Sequence, residues 1–126
     1  MFLEHVNMSV ANLERSIDFY ERVLGLRVRW RGTHSSGAPA AHIGNDRMYL
    51  ALFEVAGGGS GEADYDRVGL NHFGWVVDSL EAVKRRLAAL DIQPHLEADY
   101  APGRRLYFHD PDGIEVELVE YDTQPG

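Results

Sequence analysis

Asp110-Pro111-Asp112-Gly113-Ile114-Glu115-Val116-Glu117-Leu118-Val119-Glu120 decides how this chain is read. Proline fixes φ in the first four residues and glycine supplies a positive φ, so Asp110 to Gly113 is a tight turn. A strand follows. Ile114, Val116 and Leu118 point to one face, and Glu115, Glu117 and Val119 to the other. Glu117 is therefore a carboxylate carried by an apolar strand on the face away from the helix-packed side. Taken alone, the stretch also describes an edge strand with a polar solvent face, and the rest of the chain has to separate the two.

The 126 residues suit one ordinary domain, numbers 1–126. Hydrophobic residues make up 44% and charged residues 25%, which predicts a packed core. There is no cysteine, so disulfides and thiolate metal sites are excluded, and any metal must use His, Asp or Glu. No apolar run approaches the length of roughly 18 residues that a membrane helix needs. Met1-Phe2-Leu3-Glu4-His5 lacks the basic start of a signal peptide, so a cytoplasmic location is the expectation. A net charge of −8 disfavours nucleic acid and anionic membranes as partners.

From the N-terminus, Phe2 to Val10 alternates like a half-buried strand. Val6, Met8 and Val10 face one way, and His5, Asn7 and Ser9 the other. Asn12 is placed to cap a helix carrying Leu13, Ile17, Tyr20 and Leu24, which Gly25 ends. Strands are expected at Leu26 to Trp30, Ala40 to Ile43 and Met48 to Val55, with a polar loop at Gly32 to Pro39. Gly57-Gly58-Gly59-Ser60-Gly61 lies in a connector at 57–66. A glycine run can cradle phosphate, but only with a helix opening directly after it, and none follows here.

The second half repeats the first. Leu70 to Val77 predicts a strand, and Asp78 or Ser79 caps a helix with Leu80, Val83, Leu87 and Leu90. A strand at Gln93 to Glu97 and a hairpin from Leu106 to Tyr121 complete it. An offset of 67 places His5 on His72 and Leu13 on Leu80; an offset of 66 near the end places Asp46 on Asp112 and Glu54 on Glu120. The expected fold class is α+β: two tandem βαβββ modules, about 1–56 and about 67–122.

His5 and His72 are thus equivalent positions, both expected on the face opposite the helices, and Glu117 shares that facing. Two imidazoles, one carboxylate and open positions for water or substrate are what a divalent cation needs. Tyr107 precedes Glu117 across the turn, so a hairpin places the two on neighbouring strands. The 66 offset gives Ala51 as the counterpart of Glu117 and Ala41 as that of Tyr107. Arg104 and Arg105 could hold an anionic substrate or be surface charge. His42 is expected on the opposite face from Ala41. His34, His95 and His109 are expected in solvent, and Trp30 and Trp75 in the core.

These residues resemble the vicinal-oxygen-chelate superfamily of glyoxalase I, extradiol dioxygenases, fosfomycin-resistance enzymes and bleomycin-resistance proteins. The resemblance rests on Leu3-Glu4-His5-Val6, on Ser16-Ile17-Asp18-Phe19-Tyr20 with Leu24-Gly25-Leu26, on Asn71-His72-Phe73, and on Asp110-Pro111-Asp112-Gly113 with Glu117. It implies a cup-shaped mixed sheet with helices on the outer face, around one divalent metal (Fe, Mn, Zn or Ni) held by His5, His72 and Glu117. It gives Tyr107 a catalytic role, makes Asn7, Ala51, Arg104 and Arg105 the substrate-binding candidates, and suggests a homodimer. Glyoxalase I brings a fourth Glu or Gln ligand where this chain has Ala51, so the resemblance points towards dioxygenase-like or fosfomycin-enzyme-like chemistry. The alternative is a bleomycin-resistance-type protein that sequesters a ligand without metal.

Overall fold

The computed structural model describes residues 1–122, in two compact units: Met1–Gly59, and a second beginning at Ser60. The first unit contains β1 (His5–Val10), α1 (Leu13–Leu24), β2 (Arg27–Thr33), β3 (Pro39–Gly44) and β4 (Tyr49–Glu54). The second contains β5 (His72–Val76), α2 (Leu80–Ala89), β6 (Leu96–Tyr100), β7 (Gly103–His109) and β8 (Glu115–Tyr121). Each sheet has four strands, in the orders β1-β4-β3-β2 and β5-β8-β7-β6. The first strand pairs parallel with the last and the other pairings are antiparallel. The fold is therefore α+β with a repeated βαβββ module. No helix among the described residues is long and apolar enough to cross a membrane.

The same local chemistry builds both modules. Asn12 and Ser79 cap their helices by accepting from Arg15 N and Ala82 N. Each module then adds a second anchor from its last strand. Glu54 Oε2 accepts from Leu13 N at 2.8 Å, and Glu120 Oε1 accepts from Leu80 N at 2.9 Å. A carboxylate at a helix N-terminus satisfies an orphan N–H and complements the helix dipole. Gly25 closes α1 in the left-handed region at φ 68°. In the second unit, Leu80, Val83 and Leu87 of α2 and Leu106, Phe108, Val116 and Leu118 of the sheet are buried. Even-numbered positions of β7 and β8 thus form the core, and odd-numbered ones the helix-free face.

The turn that opened the sequence reading is held by one side chain. Asp110 Oδ1 accepts from Asp112 N and Ile114 N, each at 2.9 Å, while Gly113 takes φ 83°. Asn45 does the same work in the first module, accepting from Arg47 N and Met48 N.

Five expectations are corrected. β6 begins at Leu96 rather than Gln93, because Ile92 N still bonds back to Leu87 O and Pro94 has no N–H to give to a ladder. β2 runs on to Thr33, with a bulge between Val28 and Trp30. β1 starts at His5 and β5 at His72, where their parallel partners begin. Trp30 is not in the core; it is 44% exposed and its ring lies on His42.

Candidate metal centre

The second unit brings together most of the residues singled out. His72 pairs in register with Glu115, Gly74 with Glu117 and Tyr107 with Glu117, so all of these share the helix-free face. His72 Nε2 lies 3.0 Å from Glu117 Oε1. Two ligand atoms at 2.0–2.2 Å from one ion and at right angles about it sit about 3.0 Å apart, so this pair is spaced as neighbouring ligands. Both side chains are largely buried, at 29% and 15% exposure. Gly74 opposite Glu117 puts no side chain over the pair.

The other nitrogen of His72 is also engaged. Nδ1 lies 2.9 Å from the Tyr65 hydroxyl and 3.3 Å from Glu115 Oε1, and Tyr65 also donates to Glu115. An imidazole that gives its Nδ1–H to an oxygen presents Nε2 as the free base, the arrangement found behind metal-bound histidines. Tyr65 was missed at the sequence level. It sits in the connector, without periodicity or turn chemistry to mark it; only its spacing of seven residues before His72 was available.

Tyr107 hydrogen-bonds Glu117, and its ring meets His72 edge-on at 5.6 Å. Burial, then the bond to Glu117 and its charge, push the phenol pKa up, so the O–H stays protonated and can donate. Burial, then the charge of Glu117, push the Glu115 carboxyl pKa up. Arg105 Nε lies 3.3 Å from Glu117 Oε2 and the guanidinium covers Tyr100, while Nη1 is buried with no hydrogen-bond partner among the described residues. Arg104 is not part of this group. One residue along the strand, it faces the helix side and pairs with Glu120 Oε2 at 2.8 Å and Glu81 at 3.6 Å.

In the first unit, His5, Asn7, Tyr49 and Ala51 share the corresponding face. His5 Nδ1 contacts Glu4 Oε1 at 3.0 Å and its ring stacks on Tyr49 at 4.9 Å. Asn7 Nδ2 donates to Ala51 O at 2.9 Å. The register places Ala51 opposite Asn7 as Glu117 is opposite Gly74, so Ala51 is the counterpart of Glu117.

His42 corrects the sequence reading. It pairs with Ala51, as Tyr107 pairs with Glu117, so His42 and not Ala41 is the counterpart of Tyr107. Ala41 is fully buried on the helix side. The error lies in the turns. Tyr107 and Glu117 are ten positions apart and His42 and Ala51 nine, so the offset changes inside the hairpin rather than before it. His42 stacks on Tyr49 at 4.4 Å, and burial, then the nearby His5, lower its pKa. His34 lies against Phe53 with Nδ1 3.0 Å from Ser36 Oγ. His95 is not simply solvated: Nε2 contacts Glu115 Oε2 at 2.7 Å, and the ring stacks on His109 at 4.2 Å. Burial, then His109, lower the His95 pKa.

Residues 2–118 match the family model of the Glyoxalase/Bleomycin resistance protein/Dioxygenase superfamily. The chain belongs to this superfamily. Among superfamily relatives, it is 33% identical over 121 residues to a probable trivalent organoarsenical cleaving enzyme of Bacillus subtilis, covering 90% of this chain and 76% of the relative. It is 29% identical over 127 residues to metapyrocatechase of Geobacillus stearothermophilus, covering 94% of this chain but only 35% of that enzyme. A glyoxylase/bleomycin resistance protein/dioxygenase domain from Frankia sp. EAN1pec superimposes with a TM-score of 0.83 at 26% identity, covering 99% of this chain and 95% of that one. The fosfomycin resistance protein FosX from Listeria monocytogenes shares the fold at a TM-score of 0.75 and 19% identity, with 95% and 93% covered.

Proposed function

We propose that this superfamily member is a divalent-metal-dependent enzyme acting on a small substrate with two neighbouring oxygens, and that its chemistry is closer to the dioxygenases and fosfomycin enzymes than to glyoxalase I. The observation that carries the proposal is the 3.0 Å approach of His72 Nε2 to Glu117 Oε1, with Nδ1 of His72 held by Tyr65 and Glu115. His72 and Glu117 supply two ligands. His5, the repeat counterpart of His72 on the matching strand face of the first unit, is the third ligand that the superfamily resemblance implies. When bound, the ion supplies Lewis acidity towards substrate oxygens.

The remaining steps belong to the chain. Glu115 and Tyr65 fix the orientation and tautomer of His72. Glu117 holds the Tyr107 hydroxyl beside the centre, from where its protonated O–H can turn to hydrogen-bond a substrate oxygen. Arg105, whose Nη1 has no partner among the described residues, offers a donor to an anionic substrate group beside Glu117. Ala51 offers neither ligand nor base, which argues against isomerising a hemithioacetal. Cleavage of trivalent organoarsenicals, the probable activity of the Bacillus relative, is also disfavoured. Trivalent arsenic seeks soft thiolates, and this chain has no cysteine. We further propose a homodimer, since two-fold symmetric pairs are the commonest soluble assemblies.

Metal analysis of untagged protein tests the reading, followed by assays on catechols, epoxides and hemithioacetals with Fe²⁺, Mn²⁺, Zn²⁺ and Ni²⁺. Metal at the His72 centre, weakened in His72→Ala and in Glu117→Gln, and turnover of a substrate with vicinal oxygens would support it. A folded protein that binds ligands tightly but retains none of these metals would make it a sequestering protein instead.

A further inference from the structure

We infer that His95, His109 and Glu115 form a second cation site, for a zinc-like transition-metal ion, separate from the ligand set proposed above. Their ligand atoms all lie within 4.8 Å of one another. Three neighbouring segments contribute one residue each. Glu115 and His109 face each other across the β7–β8 ladder, and His95 is tied to the edge of β7 by His95 N donating to Tyr107 O at 2.9 Å. Backbone pairing rather than side-chain packing thus sets the cluster, and it survives rotation of the rings.

The donor chemistry is specific. Two imidazoles and one carboxylate, with a fourth position for water, is a recurrent zinc donor set. A hydrogen-bonding role accounts for only part of the arrangement. His95 Nε2 meets Glu115 Oε2, but the His109 ring makes no hydrogen bond among the described residues and lies stacked on His95, with 15° between the planes. Tetrahedral ligands sit about 3.4 Å apart around such an ion. The His95–Glu115 contact of 2.7 Å has to open slightly and His109 has to turn inward, which the exposed rings allow. Glu115 divides its two oxygens. Oε1 faces His72 and Tyr65, and Oε2 faces His95, so a cation held by Oε2 would sit beside the His72 centre without using its ligand atoms.

The test is equilibrium dialysis of the purified full chain against Zn²⁺, with the visible absorption of the Co²⁺-substituted protein as a second readout, for wild type, His95→Ala, His109→Ala and His72→Ala. Circular dichroism checks the fold of each. Wild type should bind two ions. His95→Ala and His109→Ala should each lose one of them, weakened 10-fold or more, together with its own part of the Co²⁺ spectrum. His72→Ala should keep that same ion. If the His72 centre binds nothing, wild type should bind one ion, abolished by His109→Ala and indifferent to His72→Ala, and the second site stands while the first reading falls. Wild-type stoichiometry, affinity and Co²⁺ spectrum in both folded histidine variants would overturn the inference. So would loss of both ions in His109→Ala.

Discussion

Glu117→Gln separates metal ligation from every structural role of this carboxylate. The substitution keeps the shape and one ligating oxygen and removes the charge. Glu117 is 15% exposed, so its charge acts in a poorly screened position. Two unit charges about 4 Å apart at an effective dielectric near 20 interact by about 4 kcal/mol, a lower bound for a divalent ion at ligand distance before the cost of burying the anion is deducted. That corresponds to about 10³-fold in a dissociation constant. The neutral amide oxygen still coordinates, and the variant no longer buries an anion. The net expectation is therefore a 10²- to 10³-fold weaker divalent ion. The metal-free fold should respond far less. Arg105 loses its counter-ion at 3.3 Å, at a cost of about 1–3 kcal/mol for leaving a buried partner unmatched. The crowding of Glu115 by Glu117, which raises the Glu115 pKa, is relieved at the same time. Chelator competition titrations with Mn²⁺ in a His109→Ala background, paired with thermal melts of the metal-free proteins, read the two effects separately. Binding within about threefold of the His109→Ala parent would refute Glu117 as a ligand, because no metal site loses its sole anion so cheaply.

Tyr107→Phe should leave metal affinity in place and lower kcat by about 10²-fold or more, as expected for a positioned hydrogen-bond donor; steady-state kinetics beside metal titrations decide it. Glyoxalase I activity should be weak under every divalent metal, and Ala51→Glu should raise it; brisk turnover by wild type in a methylglyoxal–glutathione assay would point to Glu115 as the missing base, since Glu54 is engaged at the start of α1. The mass from light scattering at micromolar concentration should be that of a dimer. Stability should fall in acid. Arg104, and then the Leu80 N–H, hold the Glu120 pKa below 4.5, so its contribution is complete above that value and is lost as the pH drops through the lowered folded pKa. Denaturant titrations from pH 6 to pH 3 should show a smaller loss for Glu120→Gln than for wild type.

The sequence by itself determined the module and its repeat. Alternation of period two, helix spacing, Asn12 and Ser79 as caps, and the Asp110-to-Gly113 turn are local signals, and local backbone physics enforces them. Strand parity then put His72, Tyr107 and Glu117 on one face, because successive side chains on a strand must alternate. What parity could not supply was register. A one-residue difference in turn length moved the counterpart of Tyr107 from Ala41 to His42, and only the hydrogen-bonded ladder of the folded sheet fixes that. Tyr65 behind His72, and His95 beside Glu115, were equally out of reach. Both come from irregular segments, whose course is set by tertiary contacts rather than by any period in the chain. Arg104 and Arg105 were indistinguishable as neighbours in sequence. The sheet sent one to Glu120 at the helix and the other to Glu117, since adjacent residues on a strand face opposite ways and only the packed helix says which way is the core.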